Sequence, residues 1–327
     1  MRVAAIDCGT NSIRLLIADA DESGALTDVV RRMEVVRLGQ GVDTTGRLDP
    51  EALARTLDMC REYAEQCRHH AVAPGQIRFV ATSASRDASN ADEFVAGVRD
   101  AFGELEVVPE VIAGEEEAAL SFTGATTGLL DTGFEGPFLV ADIGGGSTEL
   151  VRGTHEVVAG TSLNIGCVRL TERHHRTDPP TQEVIDAARF DIAQALDQAE
   201  AEVGLGGVVT VVGLAGSVTT VAALALELTS YDPGAIHLAR ISIEEMQTAC
   251  ERLILSTRAE RAAQPFMHPG RVDVIGAGAL IWYEILERAR EANGPDLVVT
   301  VSERDILDGI AQSIVHPAVV EDESATG

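Results

Sequence analysis

The stretch VAAIDCGTNS at residues 3–12 recurs as FLVADIGGGS at residues 138–147. In each copy an apolar run of strand length ends in an aspartate, Asp7 or Asp142, and a tight turn of glycine and small polar residues follows. A second apolar run then leads back, over residues 13–18 or 148–151. This pattern predicts one strand–turn–strand hairpin in each half of the chain. The duplication therefore indicates two similar lobes with a cleft between them.

Turns of this composition suit phosphate oxygens. Because no bulky side chain covers them, their backbone N–H groups are exposed, and a nest of amides binds anions. A plain hairpin turn would also need glycine, but a lone turn would not recur with the same aspartate and serine. The predicted phosphate contacts are Gly9, Thr10, Asn11, Ser12, Gly144, Gly145, Gly146, Ser147 and Thr148.

Asp7 and Asp142 lie where strand meets turn, so each can hold a hydrated divalent cation or a water beside those oxygens. The alternative for Asp7 is an aspartate that only caps the turn. The sequence leaves both interpretations open.

The composition excludes several catalytic mechanisms and several kinds of partner. All 25 basic residues are arginine, which excludes a P-loop lysine, a Schiff base and a catalytic Lys–Glu pair. Phosphate contacts must then come from backbone amides, arginine forks and metal. The net charge of -27 would repel nucleic acid and anionic lipid over most of the surface, so we expect neither nucleic acid nor membrane as a partner. An adaptation to solubility or to a saline habitat would explain the same acidity.

Five cysteines without a CxxC spacing predict free thiols in a reducing compartment. Cys60 and Cys67 lie on a predicted helix that is followed by two histidines, an arrangement that indicates packing rather than a metal site. No signal-peptide pattern and no apolar run of bilayer length (about 20 residues) is present. We expect a soluble, cytoplasmic protein.

The predicted elements repeat in order across the two halves. After its hairpin the first half predicts a strand near 28–38, a helix over 50–69, a strand over 77–81, a loop over 82–86, a helix over 91–102, a strand over 107–112 and a helix from 114 to about 124. The second half predicts strands near 138–142, 148–152 and 156–161, a helix over 181–203, a strand over 208–212, a loop over 213–217 and helices near 218–228, 242–255 and 277–292. A strand over 297–301 and a helix over 302–315 close the chain. At 327 residues, the chain is long enough for two domains.

Five motifs in this order resemble one enzyme family. They are the two turns, the helix start GEEEA at 114–118, the run DIGGGSTEL at 142–150 and the loop GLAGS at 213–217. Together they resemble the exopolyphosphatase and guanosine pentaphosphate phosphohydrolase (Ppx/GppA) family, in its short two-domain bacterial branch. The resemblance covers the chain from residue 3 to about residue 314.

The resemblance implies an α/β fold with two ribonuclease-H-like domains of the actin, Hsp70 and sugar-kinase superfamily flanking a cleft. The first domain would comprise residues 1–127 plus 302–320, because the last helix returns to pack on it. The second domain would comprise residues 128–301, and residues 321–327 would form a frayed tail.

The resemblance also implies a catalytic base at Glu117, the last glutamate before the alanine of the helix start. Such a carboxylate would accept the proton of the attacking water. The alternative is that three acidic residues simply favour the positive end of a helix dipole. Asp142 and Glu149 would position metal or water, with Asp7 as the corresponding first-lobe ligand, and the implied cation is Mg²⁺, with Mn²⁺ as an alternative.

Further candidate residues contact phosphate in this interpretation. Arg14 occupies the position of Glu149 in the repeat, and Arg86 is a candidate phosphate clamp or else a surface arginine. The loop residues Gly213, Gly216 and Ser217 would approach a phosphate, or would form a helix start with glycine for close packing.

Two other segments contain further candidate residues. Arg271 and Asp273 match a further family segment or form an internal ion pair. The pair His174 and His175, beside Arg173 and Arg176, is expected to be solvated.

The leading hypothesis is a metal-dependent exopolyphosphatase, which releases orthophosphate from the end of inorganic polyphosphate. Alternatives are a guanosine pentaphosphate 5′-phosphohydrolase and, from other classes, an actin-like ATPase or a small-molecule kinase. The GEEEA segment favours hydrolysis over the last two. The expected partner is therefore polyphosphate or guanosine pentaphosphate, with a homodimer left open.

Overall fold

The structure is a computed structural model, and it describes residues 1–174 and 177–316. The expectations for the tail at 321–327, for the end of the first domain at 317–320, and for His175 and Arg176 lie outside these residues. Two five-stranded sheets organise the described chain, one in each half. No helix among the described residues is both long and apolar enough to cross a membrane.

The first sheet has the strand order β3-β2-β1-β4-β5. Its strands are β1 (Arg2–Cys8), β2 (Ser12–Ala20), β3 (Leu26–Val35), β4 (Ile77–Ala81) and β5 (Glu110–Val111). The three N-terminal strands pair antiparallel, whereas β4 pairs parallel with β1 and with β5. The pairing of β1 with β2 places Asp7 opposite Arg14.

The second sheet repeats this arrangement, with the order β10-β9-β6-β7-β8. Its strands are β6 (Phe138–Ile143), β7 (Thr148–Gly153), β8 (Val157–Leu163), β9 (Thr210–Leu214) and β10 (Val298–Val301). Strands β6, β7 and β8 pair antiparallel, and β9 pairs parallel with β6 and with β10. Asp142 lies opposite Glu149, in the positions that Asp7 and Arg14 hold in the first sheet. The predicted duplication of the hairpins is therefore confirmed.

Thirteen α-helices connect and cover the sheets in the described residues. They are α1 (Val42–Thr45), α2 (Pro50–His69), α3 (Ser83–Asp87), α4 (Ala91–Phe102), α5 (Gly114–Thr126), α6 (Cys167–His174), α7 (Gln182–Glu202), α8 (Ala215–Ala225), α9 (Pro233–Ile236), α10 (Ile243–Leu255), α11 (Arg258–Ala262), α12 (Ile275–Asn293) and α13 (Ile306–Val315).

Several predicted elements differ from the structure. The predicted loop at 82–86 is largely the short helix α3, and the predicted strand at 107–112 keeps only two residues. The predicted loop at 213–217 does not exist as a loop, since β9 runs to Leu214 and α8 begins at Ala215. The short helices α1 and α6 were not predicted.

Helix α2 shows why the longer predictions succeed. The Asp49 side chain accepts hydrogen bonds from the amides of Glu51 and Ala52, and Pro50 occupies the first helical position. Its buried face includes Cys60 and Cys67. Both are free thiols, and burial raises the pKa of each to about 12, so the packing interpretation holds for them.

Helices α5 and α13 each pack on the sheet of the other half of the chain. Ala118 and Phe122 of α5 pack on the second sheet, although α5 follows the first sheet in sequence. Ile306 and Ile310 of α13 pack on the first sheet, although α13 follows the second. The two helices contact each other closely, and the cleft lies where they meet the strand ends. The domain boundaries at 127 and 302 stay a prediction.

Candidate active site

The two turns face each other across a cavity of about 100 Å³. A Cβ added at Gly145 would lie only 2.9 Å from Cβ of Thr10, so the turns touch. Fourteen of the predicted site residues line the cavity: Asp7, Gly9, Thr10, Asn11, Ser12, Arg14, Glu117, Asp142, Gly144, Gly145, Ser147, Glu149, Gly216 and Ser217. The structure therefore brings most of the predicted site together.

The second turn presents its amides because neighbouring donors hold its carbonyls. The Gly144 carbonyl accepts the Cys167 amide at 3.0 Å, and the Gly145 carbonyl accepts the amides of Val168 and Arg169 at 2.9 and 3.1 Å. The Arg169 side chain donates from Nε to the Gly146 carbonyl at 2.7 Å. In a planar trans peptide the C=O and the following N–H point in opposite directions, so the amides turn away from α6.

The first turn is held in a similar way by the segment after β3. The Thr10 carbonyl accepts the Gly39 amide at 2.9 Å, and the Asn11 carbonyl accepts the amides of Val36 and Arg37 at 3.1 and 2.9 Å. The buried Asn11 Oδ1 has no hydrogen-bond partner in the described part of the chain. Sequence reasoning missed both supporting segments, since neither carries a recognisable motif.

Glu117 is the buried member of the acidic helix start. Glu115 and Glu116 are exposed, and Glu116 bonds Arg78 at 2.6 Å. Burial raises the pKa of Glu117 to about 7, although Arg86, whose Nη1 lies 3.1 Å from Oε2, acts in the opposite direction. A carboxylate with this pKa can accept a proton near neutral pH.

Asp142 and Glu149 form a pair of buried carboxylates across β6 and β7. Burial and the negative charge of Asp305 raise the pKa of Asp142 to about 6, although Ser121 donates to its Oδ2 at 2.7 Å. Burial and the negative charges of Glu117 and Asp142 raise the pKa of Glu149, which accepts from Ser162 at 2.7 Å. Acidic side chains are therefore clustered on this wall of the cleft.

Arg14 lies in the cleft with its guanidinium bonded to two carboxylates. Its Nε and Nη2 donate to Asp7 Oδ2 at 2.9 and 2.6 Å, and its Nη1 pairs with Asp305, the N-cap of α13. Arg86 likewise bonds Glu117 and the Ile112 carbonyl. The phosphate contacts predicted for both arginines stay predictions, since each guanidinium already has protein partners.

Three predicted phosphate contacts lie behind the cavity wall rather than on it. The Thr148 hydroxyl donates to the Ile165 carbonyl at 2.7 Å. A Cβ at Gly146 would lie 2.6 Å from the hydroxyl oxygens of Thr10 and Ser83, where the lobes touch. A Cβ at Gly213 would lie 2.6 Å from Val218 Cγ1, so glycine serves close packing there.

The other candidate segments separate in the structure. Arg271 lines the cavity, where its guanidinium lies over the Tyr231 ring and contacts Thr220. Asp273 pairs instead with Arg37 and Arg258, so the internal pair of Arg271 with Asp273 is not formed.

The expectation that His174 is solvated is wrong. Its Nε2 lies 2.9 Å from Asp191 Oδ2, and its side chain is 17% exposed. The polar sequence around it gave no sign of this contact, because Asp191 comes from the following helix.

The side chains of the cleft determine how a divalent cation would be held. No three or more His, Cys, Asp or Glu side chains in the described ranges are grouped closely enough to enclose a metal ion. Mg²⁺, however, is usually held by one or two carboxylates plus substrate phosphates and waters. Asp142 and Glu149, two adjacent carboxylates whose pKa values are raised, fit a cation bound in that way.

A duplicated α/β fold with two amide-lined turns and a buried glutamate in the cleft is typical of one class of protein, the two-lobed phosphoanhydride hydrolases. The sequence profile of the Ppx/GppA phosphatase family matches residues 16–310. The chain belongs to the Ppx/GppA phosphatase family.

Relatives and solved structures agree with this assignment. The chain is 52% identical over 319 residues to Exopolyphosphatase 2 of Mycobacterium tuberculosis (strain H37Rv), covering 96% of this chain and 98% of that one. A crystal structure of an exopolyphosphatase-like protein superposes with a TM-score of 0.91 at 44% identity, over 95% of this chain and 97% of the other. A Ppx/GppA family member from Aquifex aeolicus superposes with a TM-score of 0.77 at 32% identity, over 96% and 97%.

These likenesses confirm the predicted fold class. The chain has two α/β domains of the Ppx/GppA type, each built on a five-stranded sheet, and they flank a cleft. The expectation of an enzyme that hydrolyses phosphoanhydrides is confirmed as well.

Proposed function

We propose that this protein is a metal-dependent exopolyphosphatase with Glu117 as its general base. The observation that carries the proposal is the buried Glu117 carboxylate, whose pKa of about 7 and position beside two amide-lined turns suit in-line attack by water. The relative from Mycobacterium tuberculosis, named an exopolyphosphatase, supports polyphosphate as the substrate class.

In the proposed reaction, the amides of the two turns hold the terminal phosphates in the cleft. Glu117 takes a proton from a water as the water oxygen bonds to the terminal phosphorus. The bridging P–O bond breaks, so that orthophosphate and a polyphosphate shorter by one unit leave. Ser147 and Thr10 line the cavity, one from each turn, and would donate hydrogen bonds to nonbridging oxygens.

Mg²⁺ is the cation that we propose for the site, with Mn²⁺ as an alternative. When bound, it would neutralise phosphate charge that no lysine is present to neutralise. Asp142 and Glu149 would hold it, and Asp7 would contribute only if its bond to Arg14 were released. Glu117 stays free for proton transfer in this assignment.

The experiment that tests the base is Glu117→Gln, which keeps size and hydrogen bonding but removes the proton acceptor. The turnover number for short polyphosphate should fall about 10²–10⁴-fold, the usual contribution of a general base. The Michaelis constant should change little, because amides and metal hold the substrate.

Glu115→Gln is the matched control, since Glu115 belongs to the same helix start but is exposed. It should be nearly silent. Guanosine pentaphosphate and ATP, assayed beside polyphosphate, decide between the alternatives. If both glutamine variants kept full turnover, the base would lie elsewhere, with Glu149 the next candidate.

A further inference from the structure

Arg169 bonds the second turn and two short helices of the N-terminal half. It belongs to the short helix α6, and its side chain is 12% exposed. Its Nε donates to the Gly146 carbonyl of the second turn at 2.7 Å. Its two remaining nitrogens pair with Asp43 and Asp87, which lie on α1 and α3 of the N-terminal half. One guanidinium therefore bonds the turn and the opposite lobe at once.

The bond to Gly146 bears on the next amide along the chain. Since C=O and N–H lie on opposite sides of a trans peptide, fixing the Gly146 carbonyl toward Arg169 directs the Ser147 N–H the other way. Ser147 lines the cavity, whereas Gly146 does not. The Arg169 contact thus bears on the direction of an amide at the cavity wall.

The bonds to Asp43 and Asp87 join helix α6 to the N-terminal half. Asp43 also accepts from Arg173, and Arg173 with Arg169 holds the pKa of Asp43 below its usual range, so this partner is ionised at neutral pH. The planar arginine fork suits a carboxylate on each side, which a lysine point charge would not.

We propose that Arg169 is a positioning residue that orients the second phosphate turn. It contacts neither substrate nor the attacking water, and it acts through the Gly146–Ser147 peptide. The inference rests on the proposed function for its kinetic consequence, but the orientation of the turn is measurable without any turnover.

The test compares Arg169→Ala with Arg173→Ala in the whole chain. Arg173 lies one helical turn later and shares the Asp43 partner, but its bonds in the described residues go to Asp43 and Asp191. The amide resonances of Gly145, Gly146 and Ser147 are recorded in ¹⁵N-labelled protein without ligand. They should shift or broaden in Arg169→Ala and match wild type in Arg173→Ala.

Kinetics with tripolyphosphate supply the second measurement. A misdirected oxyanion donor typically costs about 10²–10³-fold in kcat. We therefore expect kcat to fall at least about tenfold in Arg169→Ala, with KM changing less and the melting temperature close to wild type. Arg173→Ala should stay within about threefold of wild type in kcat. Unchanged turn resonances in Arg169→Ala, or an equal loss in Arg173→Ala, would overturn the proposal.

Two further variants keep the test decisive if Arg169→Ala does not fold. Arg169→Gln retains an amide donor and loses both ion pairs. The double variant Asp43→Asn with Asp87→Asn keeps Arg169 and removes only its tie to the opposite lobe. The double variant should retain wild-type turn resonances, because the bond from Arg169 to the Gly146 carbonyl is kept. Displaced turn resonances in the double variant would overturn the proposal. If the wild-type protein had no polyphosphatase activity, the proposed function would be wrong, but the resonance comparison would still test the orientation of the turn.

Discussion

At the residue scale, Glu117 combines burial with three neighbouring charges of opposing effect. Burial and the carboxylates Asp7 and Asp142 raise its pKa, whereas Arg86 lowers it. The balance leaves the pKa at about 7, where a carboxylate is both ionised in useful amount and basic enough to accept a proton. Arg86 therefore affects the pH range in which Glu117 is ionised.

The rise of activity on the acid side of the pH profile should report the ionisation of Glu117. In wild type, kcat/KM for tripolyphosphate should rise with pH through about 7, as Glu117 loses its proton. Arg86→Gln removes the cation that lowers this pKa, so the limb should move to higher pH. The measurement is kcat/KM between about pH 5 and pH 9, which reports ionisation in the free enzyme. Arg78→Gln is the control, because Arg78 pairs with the exposed Glu116 rather than with Glu117. If the acid limb kept its position on the pH axis in Arg86→Gln, the limb would belong to another group, such as Asp142.

The same burial predicts a gain of stability when the charge is removed. The pKa of Glu117 rises from 4.5 to about 7 in the folded chain, so the native state binds this proton more tightly than the unfolded state does. The associated stability is present below about pH 4 and is lost as pH rises through about 7. Glu117→Gln should therefore raise the free energy of unfolding by about 1–3 kcal/mol at pH near 8, and the gain should vanish below about pH 4. Urea denaturation without divalent cation measures it, and a variant no more stable than wild type at the higher pH contradicts the argument.

At the element scale, the crossing of α5 and α13 depends on two glycines. A Cβ at Gly124 would lie 1.9 Å from the Asp305 carbonyl oxygen, and a Cβ at Gly309 would lie 2.0 Å from the Leu120 carbonyl oxygen. Both obstacles are backbone, so they cannot rotate away. Gly124→Ala and Gly309→Ala should each cost about 1–3 kcal/mol or more, as overpacking typically does.

Gly206→Ala is the control for this crossing, because nothing lies within 4 Å of its added Cβ. Denaturant unfolding of the three variants gives the comparison. Each crossing variant should also lose activity, since Asp305 caps α13 and bonds Arg14 in the cleft. Stability equal to that of Gly206→Ala would mean that the helices separate without cost.

The sequence predicted those elements whose causes are local. Helices α2 and α4 have their predicted bounds, and the strand pairs around both turns follow from the repeat. Helix α6 was missed because its eight residues are ordered by distant partners: its first amides bond turn carbonyls about 20 residues earlier in the chain. For the site, the helix start singled out Glu117 only through the family resemblance, since burial of one glutamate among three is a tertiary property.

At the scale of the whole molecule, the cleft gathers carboxylates against a polyanionic substrate. Removal of divalent cations should therefore abolish turnover of tripolyphosphate, and Mg²⁺ should restore it. Glu149→Gln should raise the Mg²⁺ concentration needed for half-maximal activity, because one of two proposed ligands is lost. Chelation followed by titration of Mg²⁺ and Mn²⁺ provides the measurement. Full turnover after thorough chelation would remove metal from the proposed reaction.

The net charge of -27 sets how much of a polyphosphate chain the molecule can accommodate. Two arginines of the N-terminal half already have acidic partners, Arg31 with Asp308 and Arg37 with Asp273. A long polymer would have to extend over an acidic surface, so kcat/KM should be higher for short than for long polyphosphate at equal chain-end concentration. Because salt shortens the range of this repulsion to about 10 Å at 0.1 M, the difference should narrow as ionic strength rises at constant free Mg²⁺. A clear preference for long chains at low salt would contradict this and would favour a track formed between two copies, as in the homodimer that the sequence left open.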